Sequence, residues 1–134
     1  MRRLLIAVAL AACAHAGAAP PTPPGWGRTR ERAAEVCLPP GVNAWLEGLR
    51  CPDGSEAHAR RVGSVGSRTT PTDPNDPRIL LQMDPEHRLQ PGEPDLHIVD
   101  AFEAVCPGAV YTLFVDMYHC PAPLHPPPPE GFTR

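Results

Sequence analysis

Four cysteines, Cys37, Cys51, Cys106 and Cys120, restrict this chain more than any other feature, because the residues between the last two read as a strand. Residues 96–105 and 109–119 are rich in β-branched and aromatic side chains, and Cys106-Pro107-Gly108 separates them. That pattern predicts a β-hairpin. Val99, Val105, Val110, Thr112 and Val115 argue against a helix, since branching at Cβ costs rotamer freedom there. Fourteen extended residues cover about 46 Å at about 3.3 Å each, whereas bonded cysteines need Cα atoms within about 7 Å. Cys106 and Cys120 therefore lie too far apart to pair across an unbroken strand. Each is expected to reach back to Cys37 or Cys51, fastening the two halves of the chain together. A break in the strand would instead permit nearest-neighbour pairs.

The fifth cysteine, Cys13, belongs to a different part of the sequence. Arg2 and Arg3 precede the apolar run Leu4 to Ala12, which is followed by small residues. Positive charge, a short apolar run and then small residues form the pattern of an export signal. The run is far shorter than the roughly 20 residues that span a bilayer. Leu10-Ala11-Ala12-Cys13 resembles the processing box of bacterial lipoproteins, over about a tenth of the chain. The resemblance implies that Cys13 is lipidated and becomes the mature N-terminus. With Ala14 in the next position, it also implies sorting toward the outer membrane. Stable anchoring needs more than one acyl chain, which a diacylglyceryl group supplies. Ala14-His15-Ala16 is a competing A-x-A cleavage site that would release a lipid-free product. Either route removes Cys13 from the thiols and leaves an even set of four. In an oxidising compartment that set reads as two disulfides.

Residues 1–16 are thus read as signal, 17–28 as a proline-rich linker, 29–120 as one disulfide-linked domain and 121–134 as an extended, loosely held proline-rich tail. Proline at this density favours a semi-rigid, extended spacer. The chain has 12 basic and 15 acidic residues, no lysine, and aromatics at 5%. The core must be small, so cross-links are expected to carry part of the stability. There is no basic run longer than Arg60-Arg61, which argues against nucleic acid as a partner.

The fold class expected is α+β: a small stapled domain with one or two short N-terminal helices and a C-terminal hairpin. Thr29 can cap a helix over 30–36 that Pro39-Pro40 ends, and Val42, Trp45, Leu46 and Leu49 share one face of a second helical segment. Cys51-Pro52-Asp53-Gly54 reads as a turn, with Ser55 capping one or two helical turns through Arg61. Residues 62–95 show the least pattern, apart from 79–83, which is an optional third strand. A connection of that length is either a functional loop or disorder.

Two stretches could carry chemistry. The hairpin strands hold mirror-related polar residues, His97 and Asp100 on the way in, Asp116 and His119 on the way out. If cross-strand partners sum to 216, Asp100 faces Asp116 and His97 faces His119. If they sum to 215, His97, Asp116 and Tyr118 share one face, while Asp100 and His119 share the other. Imidazole and carboxylate can ligate zinc or perform acid/base chemistry, but HExxH, paired CxxC and calcium-loop spacings are absent. A structural role for these residues is the simplest reading. The second stretch, Arg61, Gly63, Ser64, Gly66, Ser67 and Arg68, could form an anion-cradling turn. It lacks the P-loop Gly-Lys-Ser/Thr element and the G-x-S-x-G elbow. No cofactor is expected. The sequence points to a non-catalytic, lipid-anchored envelope module, with a membrane contact through its lipid and an envelope protein or glycan as partner. A secreted or periplasmic hydrolase or metal-binding protein using the hairpin patch is the alternative.

Overall fold

The predicted hairpin forms the middle of the sheet in the computed structural model, which describes residues 21–123 and 125–134. The signal region, Cys13 and the start of the proline-rich linker lie outside the described residues. In chain order the elements are β1 (Ala34–Glu35), α1 (Leu38–Leu46), β2 (His58–Ser67), α2 (Arg78–Gln82), β3 (Ile98–Cys106) and β4 (Ala109–Asp116). They make an α+β fold with one mixed sheet of order β1-β4-β3-β2, in which β1 runs parallel to β4. β3 and β4 pair antiparallel from Cys106↔Ala109 to Val99↔Asp116, so partners sum to 215.

That register sorts the side chains. Phe102, Ala104 and Cys106 of β3 and Leu113 and Val115 of β4 share one face, as period-two alternation requires. They pack with Val42 and Trp45 of α1, and with Leu49, Cys51 and Phe132, in a single buried cluster. Leu46 lies at its margin. The disulfides join Cys37 to Cys120 and Cys51 to Cys106, with Cα separations of 4.9 and 5.9 Å. Both bonds link the first half of the chain to the second, across 83 and 55 residues. In the chain-entropy account loops of this length stabilise by about 4 to 5 kcal/mol each. Such bonds belong to an oxidising, extracytoplasmic setting. Among the described residues no helix is long and apolar enough to cross a membrane.

Several sequence expectations are corrected. Residues 30–36 form turns leading into β1, not a helix; Thr29 does accept a hydrogen bond from the Arg32 amide. Pro39 and Pro40 occupy the first turn of α1, where a missing N–H costs nothing, so they begin a helix and do not end one. Gly48, at φ 67, sits just beyond the C-cap of α1. The turn at Cys51 to Gly54 forms, closed by the Gly54 amide on the Cys51 carbonyl. The residues after it make the edge strand β2, not helical turns. Register shifts near Gly63 and between Ser64 and Ser67, together with exposed residues on both faces, hide its alternation. Residues 79–83 fall mostly in α2, not in a third strand. Its leucines, Leu80 and Leu81, are exposed, and the buried residue is Gln82, which donates to Glu93 and the Pro94 carbonyl and accepts from the Leu96 amide.

The described parts of the two proline-rich ends, residues 21–28 and 125–134, pack onto the domain and do not form a spacer and a loosely held tail. Trp26 and Trp45 both donate their indole N–H to the Pro127 carbonyl, at 3.0 and 2.8 Å. Arg134 donates to the Trp45 and Pro126 carbonyls, and Phe132 is buried against Tyr111. Gly27 is required where these ends meet Trp45, because a Cβ there would lie 2.9 Å from the indole at φ 68. Proline carbonyls serve well as buried acceptors because proline brings no N–H of its own to satisfy.

Candidate functional site

The end of β4 and the start of β3 create a cluster of ionisable side chains. Asp116 is the last residue of β4 and is fully buried. Its Oδ1 accepts the Tyr118 amide at 3.0 Å, an Asx-type turn that carries the chain out of the sheet. Tyr118 then bridges to Cys37, and Cys120 is bonded to the same cysteine. This detour brings His119 back to Asp116, with Nε2 2.9 Å from Oδ2. The 215 register had placed His119 with Asp100 on the opposite face; that inference fails because the strand stops before His119.

On the neighbouring strand, the Arg68 amide donates to the His97 carbonyl and the Thr69 amide to the Asp95 carbonyl. These bonds close the long 70–94 connection into an ordered loop. The loop delivers Asp95 beside His97, and Asp95 Oδ1 accepts the His97 amide at 3.1 Å. His97 Nδ1 lies 3.0 Å from Asp95 Oδ1, 3.2 Å from Asp116 Oδ2 and 3.1 Å from His119 Nε2. His119 Nε2 is also 3.2 Å from Asp95 Oδ2. One ligand-type atom from each of Asp95, His97, Asp116 and His119 lies within 4.8 Å of the others.

Arg68 backs the cluster. Its Nε is 3.2 Å from both Asp95 Oδ2 and Asp116 Oδ2, while its other nitrogens donate to Glu35 and to the Ala33 carbonyl. Burial alone would lower the pKa of both imidazoles. Hydrogen bonds to Asp116 and Asp95 outweigh it and raise each to about 9. Against the same opposing effect of burial, the two histidines hold Asp116 down at about 2 and, with Arg68, hold Asp95 well below the usual carboxylate range. Geometry resists full protonation, because two N–H hydrogens would have to share the 3.1 Å gap between the rings. His97 is 2% exposed, and its Nε2 has no hydrogen-bond partner among the described residues. A cleft of about 250 Å³ opens beside the cluster, lined by His97 and His119 together with Glu35, His87, Arg88 and Tyr118.

Asp100 is not part of this cluster. It pairs with Val115 and points to the α1 side of the sheet, where Arg61 Nε and Nη2 each donate to it at 2.9 Å and Ser64 Oγ at 2.8 Å. Against its burial, these donors lower its pKa. The Arg61–Arg68 stretch is a bulged strand and not a turn: Gly63 and Gly66 sit at its irregularities with positive φ, and Ser67 is buried opposite Ile98. Its two terminal arginines face Asp100 on one side and Asp95, Asp116 and Glu35 on the other.

The structure thus unites three of the four sequence candidates, His97, Asp116 and His119, and replaces Asp100 with Asp95. The spacing of Asp95 and His97 carried the missing signal, since residues two apart on an extended segment share a face. Compared with protein-family models, with curated proteins and with solved structures, the chain matches none.

Proposed function

We propose that this chain is an exported, envelope-tethered binding domain, with Asp95, His97, Asp116 and His119 as its binding centre and no catalytic role. The observation that carries the reading is the convergence of two imidazoles and two carboxylates, from the residues just before β3, the end of β4 and the residues after it, with both imidazoles lining one cleft. All four cysteines of the domain are oxidised, so none is a thiol nucleophile. The tether rests on the resemblance of Leu10 to Cys13 to the lipoprotein box, and the crossed disulfides support folding outside the cytoplasm. A lipid-held domain of this kind meets its ligand at the membrane surface.

The test is mass spectrometry of the mature protein isolated from its own membrane fraction, with and without reductant. The expected species begins at Cys13, carries a diacylglyceryl group and gains four hydrogens when its two disulfides are reduced. A lipid-free chain beginning at Gly17 would remove the tether from the account.

A further inference from the structure

We infer that the ligand of this centre is one divalent transition-metal ion of the zinc class, held by His97 Nδ1, His119 Nε2, Asp95 and Asp116. The inference rests on reading the cluster as a binding centre, and it is carried by a mismatch between acceptors and protons. A ring nitrogen bears at most one proton, and that proton points in one direction. Yet three acceptor atoms lie within 3.2 Å of His97 Nδ1, and three lie within 3.2 Å of His119 Nε2. Protons on these rings cannot satisfy all of those lone pairs. A cation at their centre can, because its attraction has no single direction.

The spacing agrees with that reading. Ligands about 2.0 to 2.1 Å from a tetrahedral ion lie about 3.3 Å from one another. Five of the separations, taking either oxygen of Asp95, are 2.9 to 3.2 Å, near those edges, and one ligand atom from each of the four residues lies within 4.8 Å of the others. Charge agrees as well. Once a metal displaces the ring protons, Glu35, Asp95 and Asp116 against Arg68 leave two negative charges around it. A divalent ion cancels them.

The surroundings orient the ligands as metal-site partners do. Arg68 Nε holds the Oδ2 atoms of both aspartates, backbone amides hold their Oδ1 atoms, and Glu35 Oε2 lies 3.8 Å from His119 Nδ1. His97 supplies a further observation. A 2% exposed imidazole whose Nε2 lacks a partner among the described residues is costly to keep, and the group that justifies it is the nitrogen aimed into the cluster. Two nitrogens and two oxygens select zinc and its neighbours over calcium or magnesium, which take six or more oxygens. His119, 21% exposed on the cleft, marks the path of entry.

The experiment is calorimetric titration of zinc into the full, chelator-stripped chain with its disulfides intact, with native mass spectrometry for stoichiometry. One ion per chain is expected, at a Kd of about 1 µM or tighter. His119→Ala, at a half-buried ligand whose loss spares the core, should weaken binding by about 100-fold or more, and Asp95→Asn should do likewise. His87→Ala, which lines the cleft but lies outside the four-residue cluster, and Asp100→Asn should leave the affinity unchanged. Near-ultraviolet circular dichroism and disulfide mass confirm that each variant is folded. Failure to bind zinc stoichiometrically overturns the inference, as does binding that survives His119→Ala and Asp95→Asn. A lipid-free mature chain with the zinc result intact would sink the tether alone.

Discussion

Two arginine–aspartate networks flank the same pair of strands and differ in how they are satisfied. On the α1 side, Asp100 receives donors from Arg61 and Ser64, and each carboxylate oxygen has its partner. On the other side, Asp116 and Asp95 share the single Arg68 Nε and meet two imidazoles that cannot both be protonated across their gap. The first network is complete with protein groups alone. The second offers more lone pairs than protons, and a nitrogen of His97 goes without a partner among the described residues. Complete networks hold a fold, whereas one with surplus acceptors at a cleft is built for something that arrives.

The largest effect should come from Asp116→Asn. Asp116 is fully buried and faces Arg68, His97 and His119, so its loss leaves cations without their partner. We expect about 3 to 5 kcal/mol of lost stability in the metal-free protein, measured by urea denaturation. His119→Ala separates the two networks further: it should abolish stabilisation by zinc in a thermal melt while leaving the effect of Asp100→Asn unchanged. Asp100→Asn should cost about 1 to 2 kcal/mol, because Arg61 is half exposed and solvent weakens the pair.

That last difference depends on pH. Arg61 and Ser64 depress the Asp100 pKa in the folded state, against burial and with Tyr118 also nearby. Asp100 therefore contributes stability that is complete above its unfolded pKa of about 3.9 and disappears as pH falls through the lower folded value. Wild type and Asp100→Asn should differ at neutral pH and converge in acid, as read by denaturation across a pH series. The exposed Arg60–Glu103 pair on the β2 edge provides the baseline. Glu103→Gln should change stability by about 0.5 kcal/mol or less in the same assay.

The sequence made the hairpin, its two admissible registers and the crossing of the disulfides legible, because strand periodicity and strand length are local quantities that geometry converts directly into distances. β2 was not legible: His58 to Ser67 is polar, exposed on both faces and interrupted at Gly63 and Gly66, so it shows no alternation to read. The short apolar run at 79–83 has no period, and its helix turns a glutamine inward to hold the loop that delivers Asp95. Proline content suggested extended ends but could not reveal that Pro127 receives two tryptophan N–H groups, which is a tertiary fact. At the site, strand alternation correctly separated Asp100 from Asp116 in one register. It misplaced His119, because the Asx turn at Asp116 ends the alternation.

The most direct measurement is the anomalous diffraction of zinc-loaded crystals collected at the zinc absorption edge. The account predicts one strong peak about 2.0 to 2.2 Å from His97 Nδ1, His119 Nε2 and one oxygen each of Asp95 and Asp116, with Asp100 still bound to Arg61. A peak on His87, His125 or another surface group with none at the centre would contradict it. The cluster would then be, like its counterpart across the sheet, a set of ion pairs holding the fold.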